Sequence, residues 1–251
     1  MAFISGVPTI SELDLYQTMT TAPSGLGLGA LVAGPNGKYY RLSLVGASNL
    51  VMGNALQGSV IDTSYTNMAV TTAVTAANVT SGQSFIEITN GTATITSAQF
   101  EGGSLSIYTA GTIAVADEYT ILGVTGTLTT GGALTVQLDR PLRAAVTTSA
   151  KVNMRRSPWS GVIQSPASTL TASPAGVAMF AATAATYCFV QTHGVGSALS
   201  DGSSILVGSA IALPSATAGA VVLGAAGLAD IGYSLQAAAA AKGIAVHLRI
   251  D

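Results

Sequence analysis

The scarcity of charged side chains is the feature that most constrains this chain. Its 251 residues include nine Lys and Arg and eleven Asp and Glu. A free soluble domain usually carries about 25% charged residues, most of them on its surface. Between Ser157 and Ala229 the single charged side chain is that of Asp201. Any fold of this chain therefore has a surface that we expect to be covered by membrane, by further copies of the chain or by a larger assembly.

The sequence predicts no helical membrane span. Such a span requires roughly 20 consecutive apolar residues. The longest apolar stretches, Ala218–Ala229 and Ala237–Ala241, are short or rich in Gly and Ala. The residues from Met1 to Ser5 have neither the basic region nor the apolar core of a secretion signal. We therefore expect a protein made in a cytoplasm, with no membrane partner.

The single cysteine agrees with a cytoplasmic origin, and the net charge argues against nucleic acid and lipid as partners. Cys188 is the single cysteine and lies in the apolar run Tyr187–Val190, where a buried, unreactive thiol is the usual outcome. The net charge of −2 gives no general attraction to nucleic acid or acidic lipid. Covering by protein is thus the expected reason for the missing charge.

Alternating apolar and polar residues between turn signals predict an all-β fold, with β-sandwich or barrel-like domains and short helices. The clearest strand is Ile244–Ile250, in which apolar residues alternate with Ala245, His247 and Arg249. Asn36-Gly37 and Asn90-Gly91 each lie between strand-like runs and predict β-hairpins. Further strands are predicted at Ser104–Thr109, Tyr119–Leu122, Leu134–Leu138, Tyr187–Thr192, Ile205–Val207 and Ala220–Leu223.

Two stretches rich in small polar residues, Thr71–Gly82 and Ser157–Gly176, indicate domain boundaries. We expect residues 83–154 to form an inserted β domain, and residues 29–82 plus 155–251 to form a β-rich base domain. Residues 1–28 are predicted to be an extended N-terminal arm. Within the arm, Ile10–Thr21 forms either a short helix with Ser11 as its N-cap or an extended segment.

The chain offers few candidates for catalysis or metal binding. Its two histidines are His193 and His247, and no Gly-x-Ser-x-Gly sequence occurs. Cys188 and His193 lack the further nearby ligands that zinc requires. Gly25–Gly29 lacks the third glycine and the following helix of a dinucleotide-binding loop. We predict no enzyme activity, no catalytic residue, no metal site and no cofactor.

A cluster of basic residues precedes the single tryptophan, Trp159. Arg and Trp are enriched where protein interfaces concentrate their binding energy, so the cluster is a candidate protein interface. A solvated turn region and a nucleic-acid patch are the alternatives. A nucleic-acid patch would need interleaved aromatic residues, which the cluster lacks, and the chain as a whole is net acidic. We therefore predict no nucleic-acid partner. The cluster consists of Arg140, Arg143, Lys151, Arg155 and Arg156.

A set of segments carries a family resemblance: Gly34–Arg41, Leu50–Asn54, Leu138–Ala145, Ser149–Asn153, Pro158–Ile163, Ala185–Gly194 and Gly232–Gln236. In this order they resemble a recurring pattern in head decoration (capsid cement) proteins of tailed bacteriophages. The resemblance implies an all-β protein, often trimeric, bound to the outside of a capsid lattice. It implies no catalytic residues.

The expected function is therefore that of a structural virion protein on the capsid surface, which stabilises a tailed-phage head by bridging subunits of the major capsid protein. We expect a homotrimer. The alternative is a head-fibre or tail-associated adhesin, with a glycan-binding surface in a Gly/Ser/Thr-rich loop such as Gly194–Ser204. The interface candidates are Phe3, Ile4, Leu13, Leu15, Tyr16, Arg140, Arg143, Arg155, Arg156 and Trp159.

Overall fold

In a computed structural model, the chain is nearly all β and divides into two compact units. The structure describes residues 6–61, 63–66, 68–69, 80–90, 94–96, 99–109, 112–146, 150–238 and 242–250. The first unit combines Met1–Val60 with Pro158–Asp251, and the second unit is Ile61–Ser157. The second unit is thus inserted in the first, with limits a little wider than the predicted residues 83–154. The predicted all-β class, with barrel-like sheets and short helices, is confirmed.

The regular elements are short. The helical elements are α1 (Glu12–Leu15) and two 3₁₀ turns, Pro35–Gly37 and Thr63–Tyr65. The strands are β1 (Leu31–Ala33), β2 (Tyr39–Val45), β3 (Ala55–Gln57), β4 (Met68–Ala69), β5 (Phe85–Thr89), β6 (Ser104–Thr109), β7 (Thr112–Gly126), β8 (Ala133–Leu138), β9 (Ala150–Arg155), β10 (Ser160–Gln164), β11 (Pro174–Ala178), β12 (Tyr187–Leu199), β13 (Ala210–Leu213), β14 (Val222–Leu223), β15 (Ala229–Ser234) and β16 (Gly243–Arg249).

The first unit is built around β2, which pairs with neighbours on both edges. One edge pairs antiparallel with β1 and then parallel with β10, and the other edge pairs antiparallel with β12. From β10 the pairing continues through β3 and β11 to β12, so these strands and β2 form a closed ring. One buried cluster takes side chains from every strand of the ring, among them Val45, Leu56, Val162 and Val190. A closed ring leaves those strands few unpaired edges.

The first predicted hairpin is confirmed. Strands β1 and β2 pair antiparallel, with Ala33 opposite Tyr39. Asn36 and Gly37 take positive φ values of 60° and 71° in the turn, the conformation for which an Asn-Gly pair is favoured. Tyr39 is the first residue of β2 after this turn and pairs with both Ala33 and His193.

The long strand β12 extends beyond the ring and joins it to the rest of the first unit. Its residues His193–Leu199 pair with β16, and β15, β13 and β14 follow in that order. The predicted alternation of β16 is confirmed, because Ile244, Val246, Leu248 and Ile250 are all buried.

Two sequence predictions in this part of the chain are wrong. The first half of the predicted loop Gly194–Ser204 is strand, because β12 continues to Leu199, and only Asp201–Ser204 is irregular. Ile205–Val207 is not a strand: Ile205 forms an isolated bridge with Ala238, and the next two residues are exposed in a turn that leads into β13. Short apolar runs of this kind do not distinguish a strand from an apolar turn.

The described part of the predicted arm, residues 6–28, lies against its own unit. Thr9 bridges Ala33, and Met19 bridges Tyr187. The Ser11 hydroxyl caps α1 as predicted, accepting a hydrogen bond from the Asp14 backbone N–H at 3.2 Å. The helical turn is thereby fixed at the point where it meets the core.

The second unit is a six-stranded antiparallel sheet in the order β4, β9, β6, β7, β8, β5. Its central strand β7 pairs with β6 up to Thr120 and with β8 from Ile121 onward. The described residues contribute one buried cluster, which includes Ile86, Phe100, Tyr119 and Val136.

The hairpin predicted at Asn90-Gly91 is wrong. Strand β5 pairs with β8, and Thr94–Thr96 is not a strand, whereas residues 91–93 lie outside the described residues. The Asn90 side-chain amide donates instead to the carbonyl oxygens of Leu128 and Thr129, at 3.1 and 3.0 Å. Asn90 therefore supports the connection between β7 and β8, a distant contact that the Asn-Gly pair does not reveal.

Gly103 provides a test of this packing. A Cβ at Gly103 would lie 2.1 Å from the carbonyl oxygen of Arg155 and 2.8 Å from that of Phe100. We expect Gly103→Ala to lower the free energy of unfolding by about 2 kcal/mol or more, because backbone must move to admit the methyl group. The measurement is the urea unfolding midpoint.

The matched control for that variant is Gly123→Ala in β7, where an added Cβ has no neighbouring atom within 4 Å. This control should change the free energy of unfolding by less than about 1 kcal/mol. Equal midpoints for the two variants would contradict the close approach of the backbone at Gly103.

Candidate functional site

Two of the predicted interface arginines, Arg140 and Arg143, make contacts within the second unit. Arg143 Nη1 donates to Asp117 Oδ1 at 3.0 Å. The Arg140 guanidinium donates to the Glu118 carbonyl oxygen and lies 5.0 Å from the centroid of the Tyr119 ring. Both arginines follow β8, and all their partners are in β7. Their first role is thus to hold the segment after β8 against β7.

The other two arginines lie at the end of β9. Arg156 is partly buried, with its guanidinium 5.9 Å from the centroid of the Phe100 ring. Arg155 is exposed, and the described residues give its side chain no ion pair. Of the predicted basic interface, Arg155 is therefore the residue best placed to meet another molecule.

Trp159 belongs to the first unit and packs there, whereas the four arginines belong to the second. The Arg41 guanidinium lies 4.4 Å from the centroid of the Trp159 ring. Gly29 approaches the ring so closely that a Cβ would lie 2.6 Å from it. The Trp159 indole also packs against the buried cluster inside the closed ring of strands. Trp159 therefore makes a cation–π contact, and the cation is Arg41 of β2.

The arm candidates separate into exposed and buried residues. Leu13 is 86% exposed and Tyr16 is 43% exposed, whereas Leu15 is 1% exposed and belongs to a core cluster with Tyr40 and Phe189. Neighbouring residues in a helical turn point in different directions, so one leucine reaches the core and the other faces outward. The prediction of Leu15 as an interface residue is wrong. Phe3 and Ile4 lie outside the described residues.

The first unit exposes two pairs of apolar side chains, and the two residues of each pair are adjacent in sequence. Val51 and Met52 precede β3 and are 55% and 67% exposed, and Leu206 and Val207 precede β13 and are each 67% exposed. Singly exposed apolar residues are ordinary, whereas exposed apolar residues next to one another are candidates for an interaction surface. The composition predicts such a surface in general and could not locate it.

A row of aromatic rings, which sequence reasoning missed, crosses four strands of the first unit. Tyr39, His193, His247 and Tyr233 follow one another with ring centroids 5.8, 5.4 and 4.8 Å apart. The register explains the row, because His193 pairs with Tyr39 and Tyr233 pairs with His247. The alternation in β16 placed His247 on the outward side, but strand order was needed to find its neighbours.

A cleft of about 420 Å³ adjoins the Tyr233 end of this row. Its wall includes an aromatic ring, a carboxylate and a guanidinium, and small residues complete its lining. The lining residues are Gly208, Ala210, Asp230, Gly232, Tyr233 and Arg249. None of these six residues is among the interface candidates predicted from the sequence.

The part of the chain that the structure describes contains no group of three or more His, Cys, Asp or Glu side chains that could hold a metal ion. Within the same ranges, no helix has the length and apolarity needed to cross a membrane. The absence of enzyme activity, metal and cofactor stays a prediction.

No protein-family model matches this chain, and neither a curated protein nor a solved structure is significantly similar to it. The resemblance to phage decoration proteins therefore stays a prediction.

The role of Arg143 can be tested by its removal. Asp117 is buried, so Arg143→Ala leaves a carboxylate with the Tyr119 hydroxyl, 3.2 Å away, as its remaining side-chain partner. We expect a loss of about 1 kcal/mol in the free energy of unfolding, moderated because the arginine side is exposed. Arg155→Ala is the control and should leave the urea midpoint unchanged. A larger loss from Arg155→Ala would contradict this division of roles.

Stability should fall at alkaline pH because two buried groups resist ionisation. Burial raises the pKa of the Cys188 thiol from 9.0 to about 12. Burial, followed by the negative charges of Tyr16 and Glu12, raises the pKa of Tyr40 from 10.0 to about 12. The unfolded chain releases both protons first, so the stabilisation is complete below about pH 9 and is lost as pH rises toward 12.

The measurement is the urea midpoint between about pH 8 and pH 11, for the unaltered chain and for Tyr40→Phe combined with Cys188→Ala. The double variant should show a flatter decline, whatever its starting stability. An identical decline in both proteins would show that these two groups do not cause the pH dependence.

Proposed function

We propose that this chain is a non-enzymatic virion protein that decorates the outside of a tailed-phage capsid as a homotrimer and bridges subunits of the major capsid protein. The observation that carries the proposal is the exposure of large apolar side chains on a chain with so few charges. Leu13, Met52, Leu206 and Val207 are each at least two-thirds exposed on the first unit.

Burial of such side chains against a partner is favourable. Full burial of one Leu, Val or Met side chain contributes about 1.5–3 kcal/mol. Leu13 lies between Glu12 and Asp14, but few charged groups surround Leu206 and Val207 in sequence, since Asp201 is the single charge between Ser157 and Ala229. A partner therefore displaces little tightly held water from ions when it covers this surface. These terms favour a permanent protein interface.

Binding to an assembled lattice would stabilise the lattice by mass action. A protein that binds the assembled form and not the free subunits shifts the equilibrium toward assembly. A trimer that contacts several subunits at once gains further affinity through effective concentration. The closed ring of strands suits this role, because few strand edges are free to pair with other chains.

The N-terminal segment contributes to the proposed contact as a docked segment and not as a free arm. Leu15 fixes α1 to the core, which holds Leu13 and Tyr16 outward at a defined position. Deletion of the whole segment would uncover Tyr40 and Leu42, so a point change at Leu13 is the cleaner test.

The experiment is cosedimentation of the purified chain with heads of its phage that lack this protein. We expect saturable binding in many copies per head, and a weakening of roughly tenfold or more for Leu13→Ser combined with Met52→Ser, from the lost burial. The control is Leu122→Ser, which removes a leucine that is 55% exposed on β7, in the second unit.

Sedimentation equilibrium of the free protein tests the oligomer separately, and a trimer is expected. Absence of binding to heads would overturn the decoration proposal. A stable monomer would overturn the trimer, and equal binding by Leu13→Ser/Met52→Ser would move the contact away from the apolar side chains named here.

A further inference from the structure

We propose that the cleft beside Tyr233 binds a pyranose sugar. The site lies wholly in the first unit, and sugar binding there does not depend on capsid binding. Its parts are the aromatic wall formed by Tyr233, the small residues facing that wall, and the polar pair Asp230 and Arg249.

A β-bulge in β15 creates the cleft. On β13 the adjacent residues Ile211 and Ala212 pair with Gly232 and Asp230, so Ile231 is the extra residue and is fully buried. The bulge brings Asp230 to the same side of the sheet as Tyr233, and both line the cleft. A regular strand would send two residues three positions apart to opposite faces.

Gly232 makes this bulge possible. Its φ is +146°, and a Cβ at this position would lie 2.1 Å from the carbonyl oxygen of His247. Any other residue would separate β15 from β16. The bulge that brings Asp230 and Tyr233 together thus requires glycine at position 232.

Tyr233 has one covered ring face and one open face. The His247 ring is stacked against the first, with centroids 4.8 Å apart and planes 8° from parallel. On the other side, β13 places Ala210 opposite Tyr233, and Gly208 lies just before it. Because these residues have a methyl group or no side chain, the second face of the ring remains as the open wall of the cleft.

Asp230 and Arg249 supply hydrogen-bonding groups beside that wall. Asp230 Oδ1 accepts a hydrogen bond from the Gly232 backbone N–H at 3.0 Å, which fixes the orientation of the carboxylate. Arg249 is exposed on β16, on the same side as His247. A carboxylate accepts hydrogen bonds and a guanidinium donates several, so together they can bind neighbouring hydroxyl groups of one ligand.

A pyranose is the ligand class that uses all of these features. Its C–H face can pack on an aromatic ring while its hydroxyl groups reach the carboxylate and guanidinium at the rim. An apolar ligand would bury both charged groups without partners. A phosphate or nucleotide would place negative charge beside Asp230. The cleft volume of about 420 Å³ lies within the range of small-ligand sites.

The test uses ligand-observed NMR and calorimetry on the full chain, with the methyl pyranosides of glucose, galactose, mannose and N-acetylglucosamine as probes. At least one should bind, with a dissociation constant in the millimolar range expected of a single sugar on an open cleft, about 1 mM. Ala210→Leu, which fills the space before the Tyr233 ring, should weaken that binding at least about tenfold.

Two further variants separate a lost site from a lost fold. Ala181→Leu makes the same change at an exposed alanine outside the cleft, just beyond β11, and should bind as the unaltered chain does. Arg249→Gln changes an exposed side chain and should weaken binding about threefold or more, because a guanidinium hydrogen bond is lost. Tyr233→Phe keeps the ring and should retain binding.

Three outcomes would overturn the proposal: binding of none of the four pyranosides, binding that Ala210→Leu and Arg249→Gln leave unchanged, or tighter binding of adenosine monophosphate or inorganic phosphate than of any pyranoside. Since the free protein is used, none of these outcomes bears on capsid binding. A sugar-binding protein that fails to bind heads would equally leave this proposal standing.

Discussion

The pairing of β2 on both edges is the constraint on which the first unit depends. Its backbone groups bond to β1 and β10 on one side and to β12 on the other, which closes five strands into a ring. The ring also orders what lies outside it. The N-terminal segment packs on the residues of β2 and β12 through Leu15, and β12 continues outward to hold β16 and the strands beyond it. The apolar surface and the aromatic row are both carried by this framework.

Several of the few charged residues bind partners in their own unit. Arg143 pairs with Asp117, Arg140 bonds to the backbone of β7, and Arg41 covers the Trp159 ring. The side chains of Arg140 and Arg143 are nevertheless exposed. Because the chain has so few charges in all, apolar side chains stand where a free monomer would carry Lys or Glu. The two proposed activities use different parts of that surface: the capsid contact uses grouped apolar side chains, and the sugar cleft uses an aromatic ring with the polar pair Asp230 and Arg249.

The sequence predicted correctly those features that depend on neighbouring residues. The Asn36-Gly37 turn and the alternation in β16 are confirmed, because turn dihedrals and side-chain alternation depend on neighbouring residues. The Asn90-Gly91 hairpin is wrong because β5 pairs with β8, and the Asn90 side chain bonds to Leu128 and Thr129, which are far away in sequence. Leu15 was misplaced for a related reason, since the sequence shows an apolar turn but not which of its residues meets a core.

The sequence by itself determined that this chain folds as β strands, exposes a charge-poor surface and keeps Cys188 buried, since alternation, composition and apolar context are properties of short segments. Tertiary structure alone decided the closed ring, the partners of the arginines, the aromatic row and the cleft. Each of these depends on strand order and register, and a shift of register by one residue moves a side chain to the opposite face of a sheet. The bulge at Gly232 shows this most directly, because one extra residue brings Asp230 and Tyr233 together.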